Sequence, residues 1–434
     1  MPLTERLTST INARPDELGA ALGGFALFFC LFAGYFMLRP IREAMGILGG
    51  VENLQWLFTA TFAAMLLAVP LFAWLNSTVP RRRYVDWVYG FFILNLLLFA
   101  ALFQAGDSVW SGRAFYVWIS VYNLFVVSVA WSLMADVFDA VQARRLFAFI
   151  AAGASCGGLA GPALGALLIE RLGQSGLTLL AAALLAATLP AKYRLMAWRE
   201  QGGAGRPGAP PSENPRQPVS GNPFSGIGLV LRSPYLLAVG AFVILLATAS
   251  TFLYFEQARL VAERFPEREA QIRVFSLLDF SVQALSLAAQ LFVAGRLAER
   301  YGLRAMLAGV PALVCLGFLA LALAPTFAVL AAVMVVRRVG EYAFVRPGRE
   351  MLFAPLDAQT KYKAKNFIDT VIYRAGDALS AWAKALLDGL DAGVLLAALA
   401  GAVCAAVWGG LGWYLGGPGG QPRNVRNGRK TGPA

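Results

Sequence analysis

The sequence contains no histidine, which removes the side chain most used as a general base, a metal ligand and a proton switch near neutral pH. It has only four cysteines, Cys30, Cys156, Cys315 and Cys404, each alone inside an apolar run. That spacing builds neither a zinc site nor a disulfide framework and reads as small buried packing residues. Charge is scarce too: 14% of residues are Asp, Glu, Lys or Arg and 58% are hydrophobic. Soluble globular chains carry about 25% charged residues, so an ordinary soluble domain is excluded. No GxxxxGK(S/T) loop occurs, and ATP hydrolysis therefore has no phosphate cradle. What remains is a 434-residue chain of mean hydropathy +0.61, long enough for about a dozen membrane helices of about 20 residues each.

Hydropathy predicts an all-α integral membrane protein with twelve spans, at 19–43, 54–75, 85–104, 114–136, 144–169, 174–195, 233–262, 271–295, 304–323, 326–354, 363–388 and 391–416. The first apolar run is too long for a cleaved signal and reads as a retained span. A stretch rich in Pro, Gly, Ser and Asn separates the two sets of six, which predicts a flexible linker. The expected organisation is a six-helix half over 1–198, a linker with a short surface helix over 199–232, a second half over 233–416, and a basic tail over 417–434. Alternate loops on the linker side, both termini included, carry 23 Lys and Arg against five on the other side. The positive-inside rule places both termini in the cytoplasm. The same distribution explains the net charge of +12 without a nucleic-acid partner.

The tenth span departs most from this pattern. Its continuation Val333 to Phe353 carries Arg337, Arg338, Glu341, Arg346, Arg349 and Glu350, and charge inside a membrane segment marks a functional candidate by default. On a helix Arg338, Glu341, Tyr342 and Arg349 share one side. Pro347 lacks an N–H and crowds the carbonyl of Ala343, which predicts a kink there. Arg337 and Arg338 lie about 17 Å into the span with Glu341 as their near carboxylate, and form the best candidate anion clamp. The first span ends in a related string, Tyr35 to Glu43, sharing Tyr, Arg, Pro, Arg and Glu with Tyr342 to Glu350 at equal offsets. There Arg39 and Arg42 have two open readings: a gate with Glu43, or snorkelling to the interface.

Other spans carry polar stripes. Asp279, Gln283, Ser286 and Gln290 occupy one narrow face of the eighth span, which must meet water or protein. The eleventh places Asp369, Tyr373 and Asp377 at successive i+4 steps beside Arg374 and Lys384, and Arg374 can pair with Asp377 structurally or act in a gate. The fifth spaces Gly153, Gly157, Gly161 and Gly165 four apart, predicting close helix packing or a sliding contact. Cations and carboxylates within the spans nearly balance, which favours paired gates over a simply basic cavity.

The loop between spans eight and nine, Gly295 to Arg304, resembles the signature loop of major facilitator superfamily transporters, with Glu299 for the usual Asp and Leu303 for a basic residue. The resemblance implies a gating role for Gly295, Glu299, Arg300, Gly302 and Arg304 and a major-facilitator-like arrangement of the halves. The strings YFMLRPIREAMG, NLFVVSVAWSLMADVF, RRLFAFIAAGASCGGLAGPALG, LYFEQARL and RPGREMLFAPLDAQTKYKAKNFIDTVIYRAGDALSAW resemble the bacterial branch of the ATP/ADP translocase family. That likeness implies nucleotide exchange across a bacterial inner membrane.

The expected function is alternating-access transport of an organic anion, by exchange or by ion coupling. Arg337, Arg338, Glu341, Tyr342, Arg349 and Tyr373 are the candidate substrate contacts, arginines on phosphate and tyrosines on base. Arg39, Arg42, Glu43, Asp279, Gln283, Asp369, Arg374 and Asp377, with the signature loop, are the candidate gating and coupling groups. No catalytic residue, metal or cofactor is expected, and the partners are the bilayer and a small anion such as ATP or ADP, bound by a monomer. Alternative cargoes are another phosphorylated or carboxylated anion or a lipid-linked phosphate. A membrane enzyme or a non-transporting sensor or scaffold is the alternative of another class, which lacks a nucleophile motif in the first case and a need for polar stripes in the second.

Overall fold

With no water in the hydrocarbon core, every backbone N–H and C=O must be paired internally, and runs this apolar have helix as their solution. The computed structural model describes residues 13–78, 81–106, 108–203, 226–390 and 393–420. Arg6, the linker between 204 and 225, and the basic tail beyond 420 lie outside the described residues. The described elements are helices throughout. They run α1 (Leu18–Leu48), α2 (Leu54–Thr78), α3 (Arg81–Ala105), α4 (Val109–Val137), α5 (Ala140–Trp198), α6 (Ile227–Arg232) and α7 (Pro234–Arg264). The chain continues through α8 (Arg268–Ala289), α9 (Gly295–Leu323), α10 (Phe327–Gly340), α11 (Arg346–Leu352), α12 (Ala358–Phe367), α13 (Tyr373–Asp388) and α14 (Gly393–Leu415).

Eight helical stretches among the described residues are long and apolar enough to cross a membrane, and the longest two, Ala140–Gly202 and Arg268–Leu323, are each long enough for two crossings. Each of these two is broken at one glycine, Gly173 (φ 63°, ψ −179°) or Gly302 (φ 69°, ψ −170°). Side chains rarely adopt that backbone, so glycine is where the chain can leave one span and begin the next. The charge-laden runs 327–352 and 358–388 complete twelve spans, an all-α integral membrane fold.

Side chains set several helix starts. The Asp139 carboxylate accepts from the N–H groups of Val141 and Gln142, both at 2.8 Å, and the Gln142 amide oxygen accepts from Asp139 N–H, a reciprocal cap on α5. Ser233, Thr326 and Asp357 cap α7, α10 and α12. Inside the later spans three π-turns, Gln290–Ala294, Glu341–Val345 and Ile368–Ile372, each insert one extra residue per turn.

The chain forms two compact units that cut through α2 and α8. The first comprises Met1–Gly49, Pro70–Ser220 and Glu267–Phe280, the second Gly50–Val69, Gly221–Pro266 and Ser281–Ala434. In the first unit α1 lies along α5 on the glycine ridge. A Cβ at Gly153, Gly157 or Gly161 would stand 2.3 to 2.4 Å from the carbonyl oxygens of Phe25, Phe29 and Ala33. The ridge therefore serves close packing inside one unit, and Gly165 faces Ser276 of α8. The second unit is built on a core of Val239, Phe242, Phe318, Leu330, Phe353 and Trp408.

Candidate functional site

In the second unit the two arginines of α10 fold inward, while Arg346 and Glu350 of α11 are exposed. Arg337 and Arg338 are 8% and 6% exposed. Arg337 Nη1 donates to Ser250 Oγ of α7 at 2.7 Å and to Glu341 Oε2 at 2.9 Å. Its buried Nε has no acceptor among the described residues. A guanidinium carries five N–H donors, and one left dry inside a membrane protein is an unmet demand for an oxygen ligand.

The π-turn Glu341–Val345 begins three residues after Arg338, and Arg346 N–H reaches back to Glu341 C=O. Pro347 would otherwise press on the Ala343 carbonyl, so the wider turn falls where the proline requires one. Beyond it Arg346 lies over the Tyr342 ring at 5.2 Å, and Gln290 donates to Tyr342 C=O at 3.1 Å. Arg349 meets Asp369 at 3.2 Å, and Lys365 meets Glu350 at 2.6 Å. Residues 337–350 hold four arginines and two glutamates, so this run stays cationic with both glutamates ionised.

Half-buried Tyr373 opens α13, with Arg374 and Asp377 pairing one turn on at 3.4 Å. Ser380 bonds Thr248 of α7 at 2.8 Å. At the far end Lys384, 2% exposed, stands 3.0 Å from Glu256 and pairs with Asp388. Glu256 also accepts from Arg259 at 2.9 Å, and Arg259 bonds Glu263 at 3.0 Å. One face of α13 is therefore polar from end to end.

The first unit holds the other cluster. Arg39 Nε lies 3.8 Å from Asp279 Oδ2 and 4.0 Å from Glu43 Oε1, while Arg42 donates to Glu43 Oε1 at 3.1 Å. The Arg42 guanidinium also covers the Tyr116 ring at 4.1 Å and bonds its carbonyl at 3.3 Å. The polar stripe of α8 thus begins at an ion pair; its continuation through half-buried Gln283 and buried Ser286 belongs to the second unit.

In the signature loop Gly295 opens α9 and Gly302 supplies its break, while Glu299 and Arg300 are exposed. Arg304 covers Trp413 at 4.9 Å, and its side chain fills the space beside Gly417. It therefore pins the end of α14.

Sequence reasoning missed a buried pair and misplaced a cation. Lys192, one of the 23 cations assigned to the linker-side loops, is fully buried and bonds both Asp86 oxygens at 2.8 and 2.9 Å, tying α5 to α3. Arg145 binds Glu17 through two bonds at 2.8 and 3.0 Å instead of standing as a loop charge. The partners are separated by 106 and 128 residues, so only the proline-flanked Lys192 inside an apolar run offered a signal.

The model of the Major Facilitator Superfamily matches residues 20–345. The chain belongs to that superfamily, and with this fold it is a transporter of the secondary kind. No curated protein matches it by sequence. Among solved structures, a bacterial homologue of the human lysosomal transporter Spinster, in an inward-facing and unoccupied conformation, shares 14% identity over 92% of this chain and 97% of that chain, TM-score 0.61. A variant of the nucleoside transporter NupG shares 15% over 91% and 98%, TM-score 0.60. A POT family transporter in complex with 5-aminolevulinic acid shares 13% over 91% and 96%, TM-score 0.62. At these identities the likeness is one of fold.

Proposed function

We propose that the protein moves an organic anion across a bacterial inner membrane by alternating access, with ATP/ADP-type nucleotide exchange as the leading assignment and both termini in the cytoplasm. The observation that carries the anion reading is Arg337. It is buried, tethered by Ser250 and Glu341, left with a dry Nε, and followed by a second buried arginine. Tethering presents the guanidinium in a fixed orientation, and a phosphate or carboxylate oxygen would complete its donors. Arg338 and Arg349 would extend the contact along the anion, with Tyr342 and Tyr373 offering ring faces to a base and Glu341 releasing Arg337 as substrate arrives. The Arg39, Arg42, Glu43 and Asp279 cluster and the Arg349–Asp369 and Arg374–Asp377 pairs are the gating groups in this reading, with Gln283 beside them. The nucleotide assignment rests on the sequence resemblance to the translocase family.

The test is uptake of labelled ADP into proteoliposomes loaded with ATP, comparing wild type, Arg337→Gln and empty vesicles. A charge-assisted contact contributes about 1.5–3 kcal/mol, so the substitution should raise the half-saturating concentration by roughly 10- to 100-fold. Uptake no greater than in empty vesicles, from folded wild-type protein, would remove nucleotides as substrate. Uptake that Arg337→Gln leaves unchanged would remove Arg337 from the site.

A further inference from the structure

The second unit carries a surface feature that transport of a soluble anion does not use. Helix α6 is a short turn whose Val230 is buried in the core while Ile227 and Leu231 stand 44% and 62% exposed. Gly226, just before it, lies against α12 so closely that a Cβ there would meet the Lys363 carbonyl at 2.3 Å and Phe367 Cβ at 2.9 Å. The two elements are locked together. On α12, Ala364 and Phe367 point into the core, and Tyr362 on the opposite side is 37% exposed. At about 100° per residue, Lys361 and Lys363 flank Tyr362.

These lysines differ from Lys365 on the same helix. Lys365 is held by Glu350, whereas Lys361, Lys363 and neighbouring Arg232 meet no carboxylate among the described residues. The patch therefore combines uncompensated positive charge, an amphipathic tyrosine and exposed aliphatic side chains. A soluble anion would satisfy the charge but leave Ile227 and Leu231 in water. A phosphate joined to acyl chains satisfies both.

We propose that α6 and α12 form a docking site for an anionic phospholipid of the linker-side leaflet. The headgroup phosphate sits between Lys361 and Lys363, and the chains lie along Ile227 and Leu231, with Tyr362 at the boundary between them. Because α12 leads through one π-turn into α13, the bound lipid steadies the π-turn that carries Asp369 and the start of α13 at Tyr373.

The experiment is thermal unfolding of the full chain in neutral detergent micelles during titration with phosphatidylglycerol, phosphatidylcholine or glycerol 3-phosphate. Phosphatidylglycerol should raise the unfolding midpoint saturably, and the other two should not at equal concentration. Each surface cation is worth roughly fivefold in affinity for an anionic lipid, so Lys361→Gln/Lys363→Gln should weaken the response by about 25-fold. Ile227→Ser/Leu231→Ser should weaken it while both lysines remain. Equal stabilisation by phosphatidylcholine would overturn the site, as would equal stabilisation by glycerol 3-phosphate or a full phosphatidylglycerol response in the double lysine variant. Mass spectrometry of co-purified lipid, depleted of phosphatidylglycerol in that variant, reads the same contact without unfolding.

Discussion

Glu17 shows how single charges are tuned just outside the first span. It is 1% exposed, and burial alone opposes its ionisation. The bonds from Arg145, the Arg14 N–H and the Gln142 amide outweigh that cost and hold the carboxyl below its ordinary 4.5. A carboxylate depressed in the folded state contributes stability in full above the unfolded value, and loses it as pH falls through the folded one. Glu17→Gln should therefore lower the unfolding midpoint by a constant amount from neutral pH down to about 5, with the deficit shrinking below about 4.5. Removing one partner of a largely buried pair costs up to about 3 kcal/mol. A pH series of unfolding midpoints for both proteins checks this, and a deficit undiminished at pH 3 would exclude the linkage. The same residues show what one dimension can convey. Arg337 and Arg338 stand out because charge interrupts an apolar run, whereas Glu17 sits where loop charges are ordinary and its partner is 128 residues away.

At the scale of the helix, the span count is legible in the sequence because the bilayer asks for nearly the same length and apolar composition in all but the charge-laden runs 327–352 and 358–388. Gly302 and Gly173 mark the breaks by backbone angle, which a sequence expresses only as one glycine among 44. The π-turns are less visible still, since one extra residue in a turn leaves no compositional trace; only Pro347 hinted at the second. Two glycines of α9 separate these effects. Gly302 has φ +69°, while Gly309 sits in ordinary helix with nothing within 4 Å of an added Cβ. Gly302→Ala should destabilise by about 1–3 kcal/mol, and Gly309→Ala should stabilise by about 0.5–1 kcal/mol. Denaturation in micelles reads both. Equal effects of the two substitutions would mean that the break at Gly302 does not depend on its backbone angle.

For the whole molecule, the compact units do not follow the order of the chain. Residues Gly50–Val69 of the first sequence half group with the second unit, and Glu267–Phe280 of the second half group with the first. A hydropathy profile cannot show this, because packing partners of α2 and α8 are chosen by side chains such as Asp279 and not by span order. Each unit thus holds a piece of the other half of the chain, so packing inside each unit joins the two sequence halves in addition to the covalent linker. A linker whose role is tethering adds effective concentration and little else once the helices are in one bilayer. We therefore expect that a protease site placed between residues 204 and 225, cut after reconstitution, leaves the two fragments co-eluting and transport within about twofold of the uncut protein. Fragments that part on a sizing column would show that the shared helices do not hold the halves together. Fragments that stay together with transport abolished would assign the linker a working part in the cycle, beyond tethering.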